Sequence, residues 1–218
     1  MKIFENQHEG GVRIAARIAI IAAVTLALSS CGSGAVTVGG KGVAGDYFAI
    51  VDLRPKQLDV IRVEVYEDFT CPACQHFSLE TLPALKRRYG NALVVTVHYI
   101  VSPSMQPDAL TLYSIANARG DGATVAQALL EAGLEHRVSA ENEERVRQVA
   151  RRFGLGTELQ SALSDKRKME EIRGTWLSVA HKVAHLPFVE IQGEVATNGN
   201  MSNLEAIFDS LLRRPPPN

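Results

Sequence analysis

Cysteine is scarce. The 218 residues hold three, too few for the disulfide scaffold that small exported domains use in place of a core. Excess charge of either sign is missing too: 23 Lys and Arg against 24 Asp and Glu leave −1, with no basic footprint for nucleic acid. The apolar run at residues 18–28 covers 11 positions, short of the roughly 20 that a membrane-crossing helix needs. Internal repeats and low-complexity stretches are absent apart from the prolines at 215–217, an end expected to fray. What remains is ordinary. At 46% apolar and 22% charged residues, the chain is too hydrophobic for disorder and long enough for one domain with an elaboration.

The short apolar run has a role of its own. Arg13 and Arg17 precede it and small residues follow it, the pattern of a secretory signal peptide. Its end, Leu28-Ser29-Ser30-Cys31, resembles the lipobox of bacterial lipoproteins, in which the cysteine is lipidated and becomes the mature N-terminus. An ordinary cleavage near Ser29, or a short uncleaved anchor, would also fit these residues. On the lipoprotein reading, residues 1–30 are removed and residues 31–45, rich in Gly and small side chains, form a flexible tether. The chain is then exported and lipid-anchored, where disulfides persist.

Beyond the tether, residues 47–53 read as an edge strand. Residues 60–66 read as a strand with Ile61, Val63 and Val65 on one face and Arg62 and Glu64 on a partly covered other. Pro72 suits the first turn of a helix carrying Phe77, Leu82 and Leu85, and Pro83 is expected to kink or break it. Residues 93–101 are a nearly continuous β-rich run, as in a buried parallel strand, which makes His98 a core residue. Residues 107–183 read as helical. Thr157 with Gln160 suggests a capping box, and Met169, Ile172, Trp176, Val179 and Val183 form one apolar stripe. Glu141, Glu143, Arg145 and Arg147 pair at i,i+4 on a solvated face. A strand at 188–191, a turn at Gly193 and a helix capped by Ser202 and Glu205 complete the chain. Strands interrupted by helices imply an α/β fold with a parallel-containing sheet.

Two of the three cysteines stand together. Cys71-Pro72-Ala73-Cys74 follows a strand pattern and opens a helix pattern. At that position the unpaired N–H groups and the positive pole of the helix favour a Cys71 thiolate. Thiolate attacks disulfides and leaves them readily, so stabilising it makes the oxidised pair a stronger oxidant. Cys74, one turn later, is expected to be shielded and to act as the resolving thiol. Other uses of the pair stay open at this point. A zinc site would lack a second pair and have only His76 nearby, a c-type haem would need His where Gln75 stands, and a structural disulfide this tight would add little stability.

The segment Asp68-Phe69-Thr70-Cys71-Pro72-Ala73-Cys74-Gln75-His76-Phe77 resembles the active-site segment of the DsbA family of thiol:disulfide oxidoreductases. Leu82-Pro83 with Leu85, the stretch Ala150-Arg151-Arg152-Phe153-Gly154-Leu155, and Pro187 with Gly193 six residues on are similar to later parts of that family. The resemblance runs over residues 47–213. It implies a thioredoxin-like fold with an inserted helical domain: a core at residues 46–103 and 184–214, and the insertion at 104–183. It also implies that Pro187 is a cis-proline facing the cysteines, with Leu186 free to pair with an extended substrate backbone. Read alone, Pro187 could equally be a strand-start proline. Cys71 and Cys74 are then the catalytic pair, Pro72, Ala73, Leu186 and Pro187 the substrate-binding residues, and Cys31 the lipidation site.

The implied function is an exported oxidoreductase that introduces disulfides into secreted or envelope proteins. It would take reduced proteins as substrates, need no metal or organic cofactor, and be reoxidised by a membrane redox partner. A reductase or isomerase on the same fold, or a non-catalytic binding lipoprotein, are the alternatives. Two departures from the family matter. Many members carry His where Ala73 stands, and many place an acid six residues before the first cysteine, where this chain has Val65. Strand parity is expected to make neither Glu64 nor Glu67 equivalent to that acid. A less oxidising couple with altered proton handling follows. His185, beside the proline, reads more readily as a helix-end residue than as part of the site.

Overall fold

Alternation decides the first long element. Ile61, Val63 and Val65 repeat at a spacing of two between polar residues, so one face of the extended chain is apolar. The computed structural model describes residues 44–45, 47–49 and 57–213. In it this segment is β2 (Ile61–Glu67), preceded by a short edge strand β1 (Phe48–Ala49). With β3 (Leu93–Tyr99), β4 (Phe188–Ile191) and β5 (Val195–Thr197) they form one sheet in the order β1-β5-β4-β2-β3. β2 and β3 are parallel; β4 is antiparallel to both β2 and β5, and β1 is antiparallel to β5. The leader, Cys31 and nearly all of the proposed tether lie outside the described residues. Among the described residues no helix is long and apolar enough to cross a membrane.

The apolar face of β2 packs on two helical segments. One is the continuous stretch α1 (Pro72–His76), a π turn (Phe77–Thr81) and α2 (Leu82–Tyr89); the other is α8 (Met201–Leu211). Phe77, Leu85, Ile207 and Phe208 from these segments share one buried cluster with Ile61, Val63 and Val65. Between β3 and β4 the chain builds α3 (Asp108–Arg119), α4 (Gly122–Glu131), α5 (Ala140–Arg152), α6 (Gly156–Ser164) and α7 (Lys166–Val179). These helices bury Leu112, Val125, Leu129, Val146, Leu159 and Ile172 in a second cluster, which also takes in Phe69 from the end of β2. The α7 stripe is buried as its spacing predicts: Met169 and Ile172 join that cluster, while Trp176, Val179 and Val183 pack with Tyr66 and Phe188. Arg145–Glu141 and Arg147–Glu143 form the expected ion pairs on the exposed face of α5.

Several expectations fail for identifiable reasons. The β-rich run is an edge strand among the described residues, with only β2 beside it there, and it is not covered on both faces, since Val94 is 43% exposed. His98 is therefore not a core residue; it lies partly exposed, stacked on Tyr66 at 4.9 Å. Pro83 does not break its helix. It occupies the first turn of α2, where its missing N–H costs little, and the wider π turn just before it carries the chain through. Thr157 and Gln160 make no capping box, because α6 begins at Gly156 and places Thr157 inside its first turn. Ser202 is likewise inside α8, whose cap is Asn200, accepting the Asn203 N–H at 3.0 Å. The sequence pattern also hides β5, too short at three residues for its period to show. Its turn from β4 runs through Gln192 and Gly193 at φ +58° and +70°, closed by Glu194 N–H to the Ile191 carbonyl at 3.0 Å.

Candidate active site

The turn between β2 and α1 is built by one carboxylate. Asp68, 2% exposed, accepts the Thr70 N–H at 2.8 Å and the Thr70 hydroxyl at 2.7 Å through Oδ1. Its Oδ2 accepts the Ser102 N–H at 3.2 Å, and its carbonyl accepts the Cys71 N–H at 3.0 Å. Phe69 drives into the helical block and stacks on Tyr99 with ring centroids 4.2 Å apart. The chain therefore arrives at Cys71 with its direction set. Cys71 has extended φ and ψ and is the N-cap of α1, with Pro72 in the first turn where no donor is needed.

Both cysteines are free thiols, Cys71 half-buried and Cys74 fully buried. The Cys71 Sγ accepts the Cys74 N–H at 3.4 Å. The hydrogen bond shared with the Cys74 side chain, aided by the N–H groups of Cys74 and Ala73, lowers the Cys71 pKa to about 6 against the opposing effects of burial and Asp68. Cys74 moves the other way: it is the donor to the Cys71 thiolate, and burial adds to the rise. The two thiols differ before any substrate arrives: Cys71 is biased toward thiolate and Cys74 is held protonated.

Across from the pair lies the loop into β4. The Leu186–Pro187 peptide bond is cis. The Cys71 thiol points at the Leu186 carbonyl, 3.9 Å away. Pro72 and Ala73 are exposed at the helix start, Leu186 is half-buried and Pro187 is buried, and the Cys71–Leu186 contact brings the two segments together. His185 turns its ring edge-on to Phe188, with centroids 5.8 Å apart. His76 points outward to Glu80 at 3.3 Å, with both side chains well exposed.

Two further residues belong here whose place sequence reasoning did not foresee, and a third, Glu67, was set aside on strand parity. Gly199 lies under the proline loop: a Cβ there would stand 2.7 Å from Pro187 Cγ and 2.7 Å from Phe77 Cδ2. Gln75 donates to the carbonyls of Phe69 (2.8 Å) and Leu134 (2.7 Å), fastening the loop after α4 to the redox helix. Glu67 corrects the parity expectation. It shares the face of Val65, two residues on, and is completely buried at the end of β2. Its Oε2 accepts the Ser78 hydroxyl at 2.6 Å, while Oε1 has no hydrogen-bond partner in the protein. Burial raises its pKa to about 7, with Ser78 opposing and the nearby Cys71 charge adding to the rise. An acid two residues past an apolar in-facing position was the available signal. Among the described residues no group of three or more His, Cys, Asp and Glu could hold a metal ion.

A strand leading to a CxxC helix N-terminus faced by a cis-proline matches a known profile: the family described as Thioredoxin covers residues 60–210. The chain belongs to the thioredoxin family. No curated protein matches its sequence. Solved structures do match its fold. The oxidoreductase DsbA from Xylella fastidiosa is similar with a TM-score of 0.55 at 21% identity, over 79% of this chain and 96% of that one. The α-DsbA1 protein from Wolbachia pipientis gives 0.57 at 16% identity, over 72% and 87%. A probable DsbA oxidoreductase from Streptomyces coelicolor gives 0.54 at 16%, over 72% and 93%. This thioredoxin-family chain thus has a thioredoxin-like fold with a helical domain inserted between β3 and β4.

Proposed function

We propose that the protein is an extracytoplasmic thiol:disulfide oxidoreductase that donates the Cys71–Cys74 disulfide to reduced proteins. One observation carries the reading: a half-exposed N-cap cysteine with a thiol pKa near 6 faces the Leu186 carbonyl on the opposite loop. An extended substrate pairs its backbone with Leu186, which brings its thiolate beside Cys71. That thiolate attacks Cys71 Sγ and the electron pair leaves on Cys74. A second substrate thiolate attacks the substrate sulfur of the mixed disulfide, releasing Cys71 as thiolate and an oxidised substrate. Glu67 supplies the proton that the buried Cys74 needs. The solved DsbA structures similar in fold support this class of chemistry, and a membrane redox partner would restore the disulfide.

The thiolate pKa bears on direction. Stabilising the Cys71 thiolate makes the oxidised pair the stronger oxidant, so the depressed pKa favours donation. The deciding measurement is the equilibrium potential of the pair against glutathione. A value of about −180 mV or higher supports donation; one below about −250 mV makes the protein a reductant and reverses the proposed electron flow. Loss of thiol exchange in Cys71→Ser excludes a purely binding role. We further propose that Cys31 is lipidated and holds the protein to the outer face of a membrane. Mass spectrometry of the mature N-terminus tests that assignment, and an unmodified Cys31 rejects it.

A further inference from the structure

Cys74 and Glu67 share a difficulty. Both are 0% exposed, yet on the function proposed above Cys74 must gain a proton in every turnover and Glu67 must be recharged. A groove of about 480 Å³, whose lining includes neither Cys71 nor Leu186, runs between the redox helix and the helical domain. Ser78 and Tyr99 line it, with Lys86 at its rim and Tyr113, Asn117 and Leu130 opposite. Ser78 spans the two environments through a hydrogen bond. It is partly exposed in the groove, and its hydroxyl donates 2.6 Å to Oε2 of the buried Glu67. It sits in the π turn, the extra-wide segment that precedes Pro83.

We propose that Ser78 is the port through which protons pass between the groove and the buried Glu67, and hence to Cys74, about two turns along the redox helix from Cys71. When a substrate thiolate breaks the Cys71–Cys74 bond, the electron pair departing on Cys74 takes the proton of the Glu67 carboxyl. The carboxylate then receives the Ser78 hydroxyl proton at Oε2, and Ser78 takes one from water in the groove. Nothing is oxidised or reduced in the relay; one proton enters for each Cys74 thiol formed. Ser78 is a positioning residue, acting through Glu67. The titratable groups facing Glu67 are Cys71 and Cys74 from the redox loop and α1, and Tyr99 from β3; Tyr113 of α3 packs edge-on against Tyr99, ring centroids 4.7 Å apart. Burial raises the Tyr99 pKa, so that phenol stays protonated through neutral pH and does not compete with Glu67 for the proton. Separate entrances for substrate and proton let a bound polypeptide seal the cleft without stalling the chemistry.

The test follows the reduction of the disulfide form of the full chain by a dithiol model peptide, from pH 5 to 9, in stopped flow. The wild-type rate carries an inflection from Glu67. Ser78→Ala is expected to slow the reaction by about tenfold and to move that inflection upward, because the lost hydrogen bond stabilised the carboxylate. Ser78→Thr keeps the hydroxyl and restores both rate and inflection. A Ser78→Ala profile superimposed on wild type overturns the port, as does a Ser78→Thr profile identical to that of Ser78→Ala. Glu67→Gln separates the two levels: if it removes the inflection while Ser78→Ala leaves it in place, only the port fails. If it leaves the wild-type profile intact, the proposed role of Glu67 falls, and the port with it.

Discussion

Glu64 and Glu67 leave the same strand three residues apart and meet opposite surroundings. Glu64 projects from the outer face of β2, exposed, where its Oε2 accepts the Tyr66 hydroxyl at 3.0 Å and lies 3.4 Å from His98 Nε2. Tyr66 in turn accepts from Lys182, 2.7 Å away, which also pairs with Glu190 at 2.8 Å. That face is a solvated polar network joining the end of the helical block to the sheet, and its charges are compensated. Glu67 turns inward, below the redox helix, with one hydrogen bond and one oxygen left unpaired. A buried carboxylate without full pairing is costly, and protonation is its relief. The same side chain is a paired surface carboxylate on one face and a buried acid with a raised pKa on the other, and the odd spacing between the two decides which.

Cys71→Ser breaks the redox side outright: thiol exchange with a reduced peptide should fall by at least about a thousandfold, since no Cys71–Cys74 disulfide can form for the peptide thiolate to attack. Lys182→Ala, on the opposite face, should leave the same rate within about twofold. A larger fall would mean the two faces are coupled.

Next in size is the pH dependence of stability. In the disulfide form neither cysteine titrates, so Glu67 is isolated. Its folded pKa, raised chiefly by burial and about 7 when the thiols are free, lies above the ordinary 4.5, so the folded state holds the proton longer than the unfolded chain. Stability contributed by the neutral form is complete below pH 4.5 and is lost as pH rises through 7. The loss is on the order of 3 kcal/mol. Glu67→Gln should abolish that decline in urea unfolding series at about pH 5 and pH 8, whereas Glu64→Gln should change neither by more than about 0.5 kcal/mol. Equal slopes in wild type and Glu67→Gln would show that Glu67 is not perturbed.

Gly199→Ala forces a Cβ against Pro187 and Phe77. It should cost about 1–3 kcal/mol and slow exchange, because the proline loop must shift relative to Cys71. Unchanged stability and rate together would mean that the loop gives way freely. The smallest effect concerns potential: Ala73→His places a cation beside the thiolate, and one pKa unit of further depression would raise the potential by about 30 mV. A potential that stayed put would remove Ala73 as the reason for a milder couple.

Much of this was legible along the chain because it is local. The spacing of Cys71 and Cys74, Pro72 in the first turn, the apolar alternation at Ile61, Val63 and Val65, and the α7 stripe each depend on neighbours within a few residues. Capping went wrong at Thr157 and Ser202 for the same local reason: several oxygens near a helix start satisfy one pattern, and only the path of the backbone selects Asn200 at α8 or none at α6. His98 and its strand were misplaced because a β-rich run does not disclose whether a second neighbour covers it.

The sequence alone determined the chemistry available: two thiols at a helix N-terminus, a proline ahead of a later strand, and a chain order of strand, helix and helical block that only a few folds accommodate. Only the tertiary structure decided how that chemistry is tuned. It set Leu186 opposite Cys71 across 115 residues of chain, closed the α1 helix over Glu67, and left Ser78 reaching from that carboxylate to a groove walled by the helical domain. Burial and charge act through space and carry no sequence spacing, so the pKa values that divide the two thiols into attacker and reserve were written in the packing.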